Sequence, residues 1–323
     1  MTGYIIRRLL YTIPVVLSVL VLTFILLRMI PGDPVDLFFV GPQDAVGSTM
    51  QVTVTPTQKG AYDLLRKEFN LDKHPVHQFV LYAWDFVRGD FGKSIRSQRP
   101  INDIIGDHWP ATIQLTMAGM SVALIIGVGA GVISAVRSHT WVDYTAQSFA
   151  VLGVSIPSFW LGVVLVMIFS VGLGWLPAIS NGHGKELILP GITLGTAASA
   201  ILARLTRSSM LDVLSRDYVR TARAKGLRER SVVWLHALRN ALIPVVTVAG
   251  LEFGGLLAGT VIIEVVFIRQ GLGFQLIDAI ATRDYPVVQG LVMLAALLYA
   301  FMNLFVDVLY TYIDPRVRFV SAG

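Results

Sequence analysis

A few groups of residues have types and spacing that invite a chemical reading. Gly92-Lys93-Ser94 has the look of the end of a phosphate-binding loop, in which backbone amides cradle phosphates and the lysine reaches them. That loop requires a glycine five positions before Gly92, and Val87 stands there. Gly127-Val128-Gly129-Ala130-Gly131 has the look of a dinucleotide fingerprint fragment, but it lies in a long apolar stretch with no strand before it. Small residues at four-residue spacing in such a stretch let helix backbones approach closely, and the same reading applies to Gly250/Gly254 and Gly255/Gly259. His74 and His77 could face one way on a helix, but Pro75 lies between them and no third metal ligand is near. The chain has no cysteine, which excludes thiol, disulfide and Cys-based metal chemistry. Neither H-E-x-x-H nor G-x-S-x-G occurs, so hydrolysis has no visible metal or nucleophile.

What remains is polar chemistry inside apolar runs and one basic segment. Glu252 reads as the one clear acid within its apolar run, which is rich in glycine. A carboxylate there either faces a water-filled path or subunit interface, or makes a structural hydrogen bond to a neighbouring helix. Thr116, Ser121, Asn303 and Asp307 are weaker candidates for such a path. The basic segment runs from Leu214 to Pro244. Asp217 to Lys225 holds good helix formers with a basic last turn, which suits the negative end of a helix. Gly226 is where a left-handed cap would stop it, and a second helix from about Arg228 to Asn240 would follow. Two readings compete for this helix–Gly–helix bracket: a basic surface element held by anionic lipid, or a prong docking into a groove on a partner. The small Ala222 and Ala224 among Arg220, Arg223 and Lys225 favour docking, because small residues allow close approach while basic ones reach acidic rims.

The elements that must position these residues follow from composition. Of 323 residues, 54% are apolar and only 15% charged, with a mean hydropathy of +0.66. Soluble chains carry about 25% charged residues. This is the composition of a polytopic membrane protein, not of a soluble enzyme. A helix needs about 20 apolar residues to cross the hydrocarbon core. Stretches near 9–27, 112–136, 146–173, 189–210, 243–267 and 287–310 qualify, the fourth weakened by Arg204 and Arg207. The first is read as a retained helix, since Pro31-Gly32-Asp33-Pro34 follows it instead of a cleavage site, with a twin-arginine export signal at Arg7-Arg8 as the alternative. Lys and Arg gather at Arg7-Arg8, Arg137, Arg204 to Arg239, and Arg316 and Arg318, so both termini are expected in the cytoplasm. That bias accounts for the formal charge of +5 without nucleic acid. The segment 31–111 is too long for a plain loop. Gln58–Leu71 and Pro75–Val87 read as amphipathic helices, Gly89-Asp90-Phe91-Gly92 as a turn, and Ile101–Ile105 as the start of a short helix ending at Trp109-Pro110. Gly41–Thr57 is the least patterned part. Arg269–Thr282, with Gly271-Leu272-Gly273-Phe274, reads as an outward gate or partner dock built around Arg269, Gln270 and Phe274, or as an interfacial re-entrant turn.

The bracket resembles the cytoplasmic EAA loop of ATP-binding-cassette importer permeases. Arg220-Thr221-Ala222 stands where the general pattern has Glu-Ala-Ala, and Gly226 matches its glycine. Arg220 in place of the acid and the more distant Pro244 are features of the B-type permeases of dipeptide, oligopeptide, glutathione and nickel importers. Further matches run in order along the chain: Tyr4 to Leu10, Ile30-Pro31-Gly32-Asp33-Pro34, Asp90 to Ser94, Pro110-Ala111-Thr112, Ile156 to Gly162, Leu173 to Pro177, Arg283 to Gly290 and Asp314 to Arg318.

The resemblance implies an all-α polytopic fold of the type I importer kind, with six transmembrane helices and a small extracytoplasmic helical insertion between the first two. The expected divisions are 1–30, 31–111, 112–211, the coupling loop 212–242, 243–310 and a tail 311–323. It implies a non-catalytic permease subunit in a bacterial inner membrane, forming half of a path for di- or oligopeptides or a related solute by alternating access. Implied partners are a C-type permease, two ATPase subunits and an external solute-binding protein, with ATP and Mg bound by the ATPases. In this reading Asp217, Tyr218, Arg220, Thr221, Ala222, Arg223, Ala224, Lys225 and Gly226 form the coupling element. The alternative is an ion-coupled secondary transporter using Glu252.

Overall fold

The computed structural model describes residues 2–29, 35, 56–180, 182 and 184–313. The Ile30–Pro34 motif, the stretch from Gly41 to residue 55, the Asp314–Arg318 motif and the side chain of Asp307 lie outside the described residues. Eleven helices carry labels here: α1 Thr2–Met29, α2 Pro56–Glu68, α3 Pro75–Val87, α4 Ile101–Val136, α5 Trp141–Ser155, α6 Ser158–Leu165, α7 Ile188–Leu214, α8 Asp217–Ala224, α9 Leu238–Val266, α10 Leu272–Ala281 and α11 Tyr285–Ile313. Among the described residues, five helical stretches are long and apolar enough to cross a membrane, and the bent pair α5 and α6 would make a sixth span.

That bend corrects the expectation of a continuous third span. The axes of the two halves differ by 107°. Ile156 takes extended backbone, because the ring of Pro157 clashes with a helical conformation in the residue before it, and Pro157 itself is non-helical with ψ 132. Past Leu165 the second half widens into π-helix over Val166–Gly172. Pro110 behaves differently. The expected short helix from Ile101 does not end there but runs on through α4 to Val136. The carbonyl this proline deprives of a donor belongs to Gly106, which is exposed, so water can serve it.

The chain divides into two compact units, one comprising Met1–Arg8, Ala111–Phe274 and Phe301–Gly323, the other Leu9–Pro110 and Gln275–Ala300. The first is organised by the contact of α7 with α9 and with α5. Its core joins Leu115, Met120 and Ala123 of α4 to Leu194, Ala198 and Leu202 of α7 and Val245, Leu256 and Ile263 of α9. The small-residue stripe in α4 does what its spacing suggested. A Cβ on Gly127 would lie 2.6 Å from the Ser199 carbonyl oxygen, and one on Gly131 would lie 2.6 Å from that of Ala203. Gly195 in turn backs onto the Gly119 carbonyl. Gly129 meets nothing, so only every fourth position matters.

In the second unit, α2 and α3 form close to their expected positions, and α3 starts with His74 accepting from the Val76 amide (3.4 Å). The turn at Gly89 and Gly92 is real, both glycines having left-handed backbone. Asn102 holds it by donating to Gly89 O (2.8 Å) and accepting from Phe91 N (3.3 Å). The loop beyond is gathered by the buried carboxylate of Asp284, which accepts from Ser94 Oγ (2.5 Å), Ile95 N (3.2 Å) and Arg96 N (3.4 Å).

Candidate functional site

The basic bracket folds as α8, a reversal at Gly226, and a return arm. The return arm begins at Glu229, passes through π-helix at Val232–Ala237 and continues without a break into α9. Helix therefore runs across residue 242 from the arm into the span, with Pro244 inside it. Gly226 has φ +77, and a Cβ there would meet nothing, so the position selects glycine through its backbone alone. Leu227 N reaching Ala222 O (3.4 Å) and Gly226 N reaching Arg223 O (2.9 Å) close the helix end, the pairing a left-handed C-terminal residue permits.

One face of α8 is a seat. Val219 and Ala222 are buried against Val232 of the return arm, with Val213 and Leu214 packed alongside. Asn240 Nδ2 donates to the Tyr218 hydroxyl (2.9 Å), and Arg223 reaches Glu229 with Nη2 (2.7 Å), tying helix to arm twice more. The rest of the helix is exposed: Asp217, Arg220, Thr221, Ala224, Lys225 and Gly226, together with the arm-bonded Tyr218 and Arg223. Ala222 is thus small for an internal reason. It fits its own arm, which corrects its assignment to the docking surface.

A second polar site lies between α9 and α10, and the reading of Glu252 as the sole acid in its span overlooked it. Glu264 is fully buried. Its Oε1 accepts from Thr112 Oγ1 (2.6 Å), and its Oε2 accepts from Gly273 N (2.8 Å) and Phe274 N (3.0 Å). Thr112 Oγ1 also accepts from Leu272 N (2.8 Å). The first three amides of α10 are orphan donors by geometry, and a carboxylate with a hydroxyl serves them. Gly271 and Gly273 leave no room for a Cβ beside that carboxylate.

Arg269, expected at an outer gate or dock, is 2% exposed and turned inward. Its Nε donates to Ala111 O (3.0 Å), Nη1 to Ser180 Oγ (3.0 Å) and Gly182 O (3.1 Å), and Nη2 to Gln114 Oε1 (2.8 Å). A guanidinium spent this way is an internal tie, not a surface contact. Gln270 is exposed and Phe274 half-buried. Among the path candidates, Thr116 is fully buried and donates to Thr112 O (2.9 Å). Ser121 is exposed and donates to Met117 O (2.7 Å). Asn303 and Glu252 are half-buried, and Glu252 has no hydrogen bond or ion pair with another described residue.

Sequence reading also missed a third tie. Asp143 of α5 is buried and takes a two-pronged contact from Arg207 of α7, Nε to Oδ1 and Nη2 to Oδ2, both 2.7 Å. Ser134 Oγ of α4 donates to the same Oδ1 (2.5 Å). Arg207, which weakened the fourth span on paper, is the partner that lets Asp143 be buried.

Comparison with known proteins places this architecture. The family described as "Binding-protein-dependent transport system inner membrane component" matches residues 127–319. The glutathione transport system permease protein GsiC of Escherichia coli (strain K12) is 45% identical over 319 residues, covering 99% of this chain and all of that protein. The protein of the same name from Shigella dysenteriae serotype 1 matches equally. Among solved structures, an inward-facing MetNI methionine ABC transporter superposes with a TM-score of 0.55 at 19% identity, covering 65% of this chain and 96% of that one. An amino acid ABC transporter crystallised with histidines gives 0.52 at 15%, covering 65% and 94%. Those two share the fold. The exposed prong, the helical spans and the full-length relatives agree: the chain belongs to the binding-protein-dependent transport system inner membrane components, as a permease subunit of an ABC importer.

Proposed function

We propose that this permease passes short peptides, or a peptide-like solute such as glutathione, through a path it shares with a second permease of the C type, and that α8 is the element through which ATPase subunits drive it. As a multi-pass inner-membrane subunit of an ABC importer it works with ATPases and a solute-binding protein. The cargo reading is supported by full-length relatives whose name specifies glutathione transport. The ion-coupled alternative draws no support from those relatives.

The observation that carries the coupling reading is the division of α8 into a buried seat and an exposed basic face, on a rod continuous with α9. A partner gripping Arg220, Thr221 and Lys225 pulls on α8. Val219 and Ala222 pass the pull to Val232, and the unbroken rod passes it to the span. Rigid elements that move together convert a local displacement into a change of access. In this scheme both termini lie in the cytoplasm, and ATP and Mg bind the partner subunits, not this chain. The remaining exposed candidate of the gate segment, Gln270, would face the binding protein.

The experiment is reconstitution of the permease with its companion subunits in liposomes. Uptake of a labelled dipeptide or of glutathione should require ATP and the binding protein, and a cysteine at Arg220 should crosslink to an ATPase subunit. Uptake driven by an ion gradient with the ATPases omitted would overturn the reading.

A further inference from the structure

The second unit carries a half-open cavity of about 650 Å³ that the transport scheme above does not use. Sites for small ligands measure about 300–1,000 Å³ and pair an apolar lining with a few placed polar groups. Helix α3 supplies one wall. Gln78, Leu81, Tyr82 and Asp85 all line the cavity, and their spacing puts them on one face of that helix. Phe24, Phe69 and Phe91 supply aromatic surface. The facing loop is held in place from behind, by Asp284 on the amides of Ile95 and Arg96 and by Asn102 on Phe91 N, so Phe91 and Lys93 are presented on a fixed backbone.

The polar groups differ in what they are already doing. Arg28 stacks on Phe24 (4.6 Å) and bonds to Gln78, Lys93 sits 3.7 Å from Glu68, and Asp90 accepts from Gly92 N (2.8 Å). Asp85 is exposed to the cavity's solvent and has no side-chain partner among the described residues, whereas the hydroxyl of Tyr82 is buried and has none. A buried polar atom without a partner calls for an explanation, since such atoms are rare in folded proteins. One face of one helix therefore offers a free carboxylate and a free hydroxyl beside an aromatic surface.

We propose that this cavity binds a short peptide through its free amino terminus, the ammonium group on Asp85 and an apolar side chain among Phe24, Phe69 and Phe91. The choice of a peptide rests on the cargo proposed above; the choice of an ammonium group rests on Asp85 alone. The site would hold cargo on the permease itself.

The test uses the assembled transporter in nanodiscs without its binding protein, and two probes: the dipeptide Phe-Ala and its N-acetylated form. Wild type should bind Phe-Ala saturably and about tenfold more tightly than the acetylated peptide, a difference of about 1.4 kcal/mol. In Asp85→Asn that preference should vanish while the weaker, acetylated affinity is retained. A merely structural role for Asp85 would lower both affinities and leave their ratio intact, which would overturn the proposal. Leu81→Trp, which fills the cavity, should abolish both. No saturable binding in wild type, or displacement by phosphatidylethanolamine in the disc and not by excess dipeptide, would also overturn it. Failure here with peptide uptake intact removes only the cavity site. Binding here without uptake in the complete system removes the cargo reading and leaves the site.

Discussion

The α8 bracket and the Glu264–Arg269 region are both polar features of one unit, and they are built in opposite ways. Around α8 the charges face water: Arg223 and Glu229 are 41% and 58% exposed at the side chain, and Arg220 lies 3.7 Å from Asp217 with both groups exposed. Such pairs contribute about 0–1 kcal/mol. Around Glu264 and Arg269 the charges are buried and their hydrogen bonds run to backbone and neighbouring side chains. The lesson is that the surface charges of this unit are loosely held, whereas the polar residues that shape the chain are enclosed and saturated.

The largest expected effect tests the enclosed region. Glu264→Ala would leave Thr112 and the amides of Gly273 and Phe274 without their acceptor, at a cost of about 3 kcal/mol or more. The assembled complex should show a clear drop in thermal midpoint and yield. An unchanged midpoint would mean that the carboxylate is dispensable and the comparison is wrong. Arg269→Lys comes next. It keeps the charge but cannot fork to Ala111, Ser180 and Gln114 together, so a loss of about 2 kcal/mol is expected from the same measurement.

Gly226→Val should cost less in stability, about 1 kcal/mol, because the strain is confined to one left-handed residue at the surface. Its larger consequence should be functional: ATP-driven uptake should fall further than yield does, since the prong is reshaped. Equal falls in both would place Gly226 with the structural group instead. Smallest of all is Glu229→Gln. It weakens an exposed pair, and a shift of thermal midpoint corresponding to only a few tenths of a kcal/mol is expected. A shift as large as that of Arg269→Lys would erase the distinction between the two regions.

Much of the fold was legible because its signals are local. The apolar runs, the amphipathic pattern of Pro75–Val87 and the glycine at 226 each report a constraint carried by neighbouring residues: length against a bilayer, one apolar face, one positive φ. Pro110 and Pro157 show where that stops. The helix expected to end at Pro110 runs on, because the carbonyl orphaned there lies at an exposed position, whereas the span expected to run through Pro157 breaks there. Ala222 shows it again: its size was readable, but not the direction in which its small size was used.

The amino-acid order by itself determined that this is a helical membrane subunit with a basic prong, since hydropathy and positive charge act through composition and spacing along the chain. The tertiary structure alone decided which partners the buried carboxylates meet. Glu264 meets Thr112 from 152 positions away and Arg207 meets Asp143 across 64, and no periodicity records such pairs. The physical reason is that a charge in a low-dielectric interior is tolerated only with a partner in contact, and contact is a property of the packed helices, not of the sequence between them.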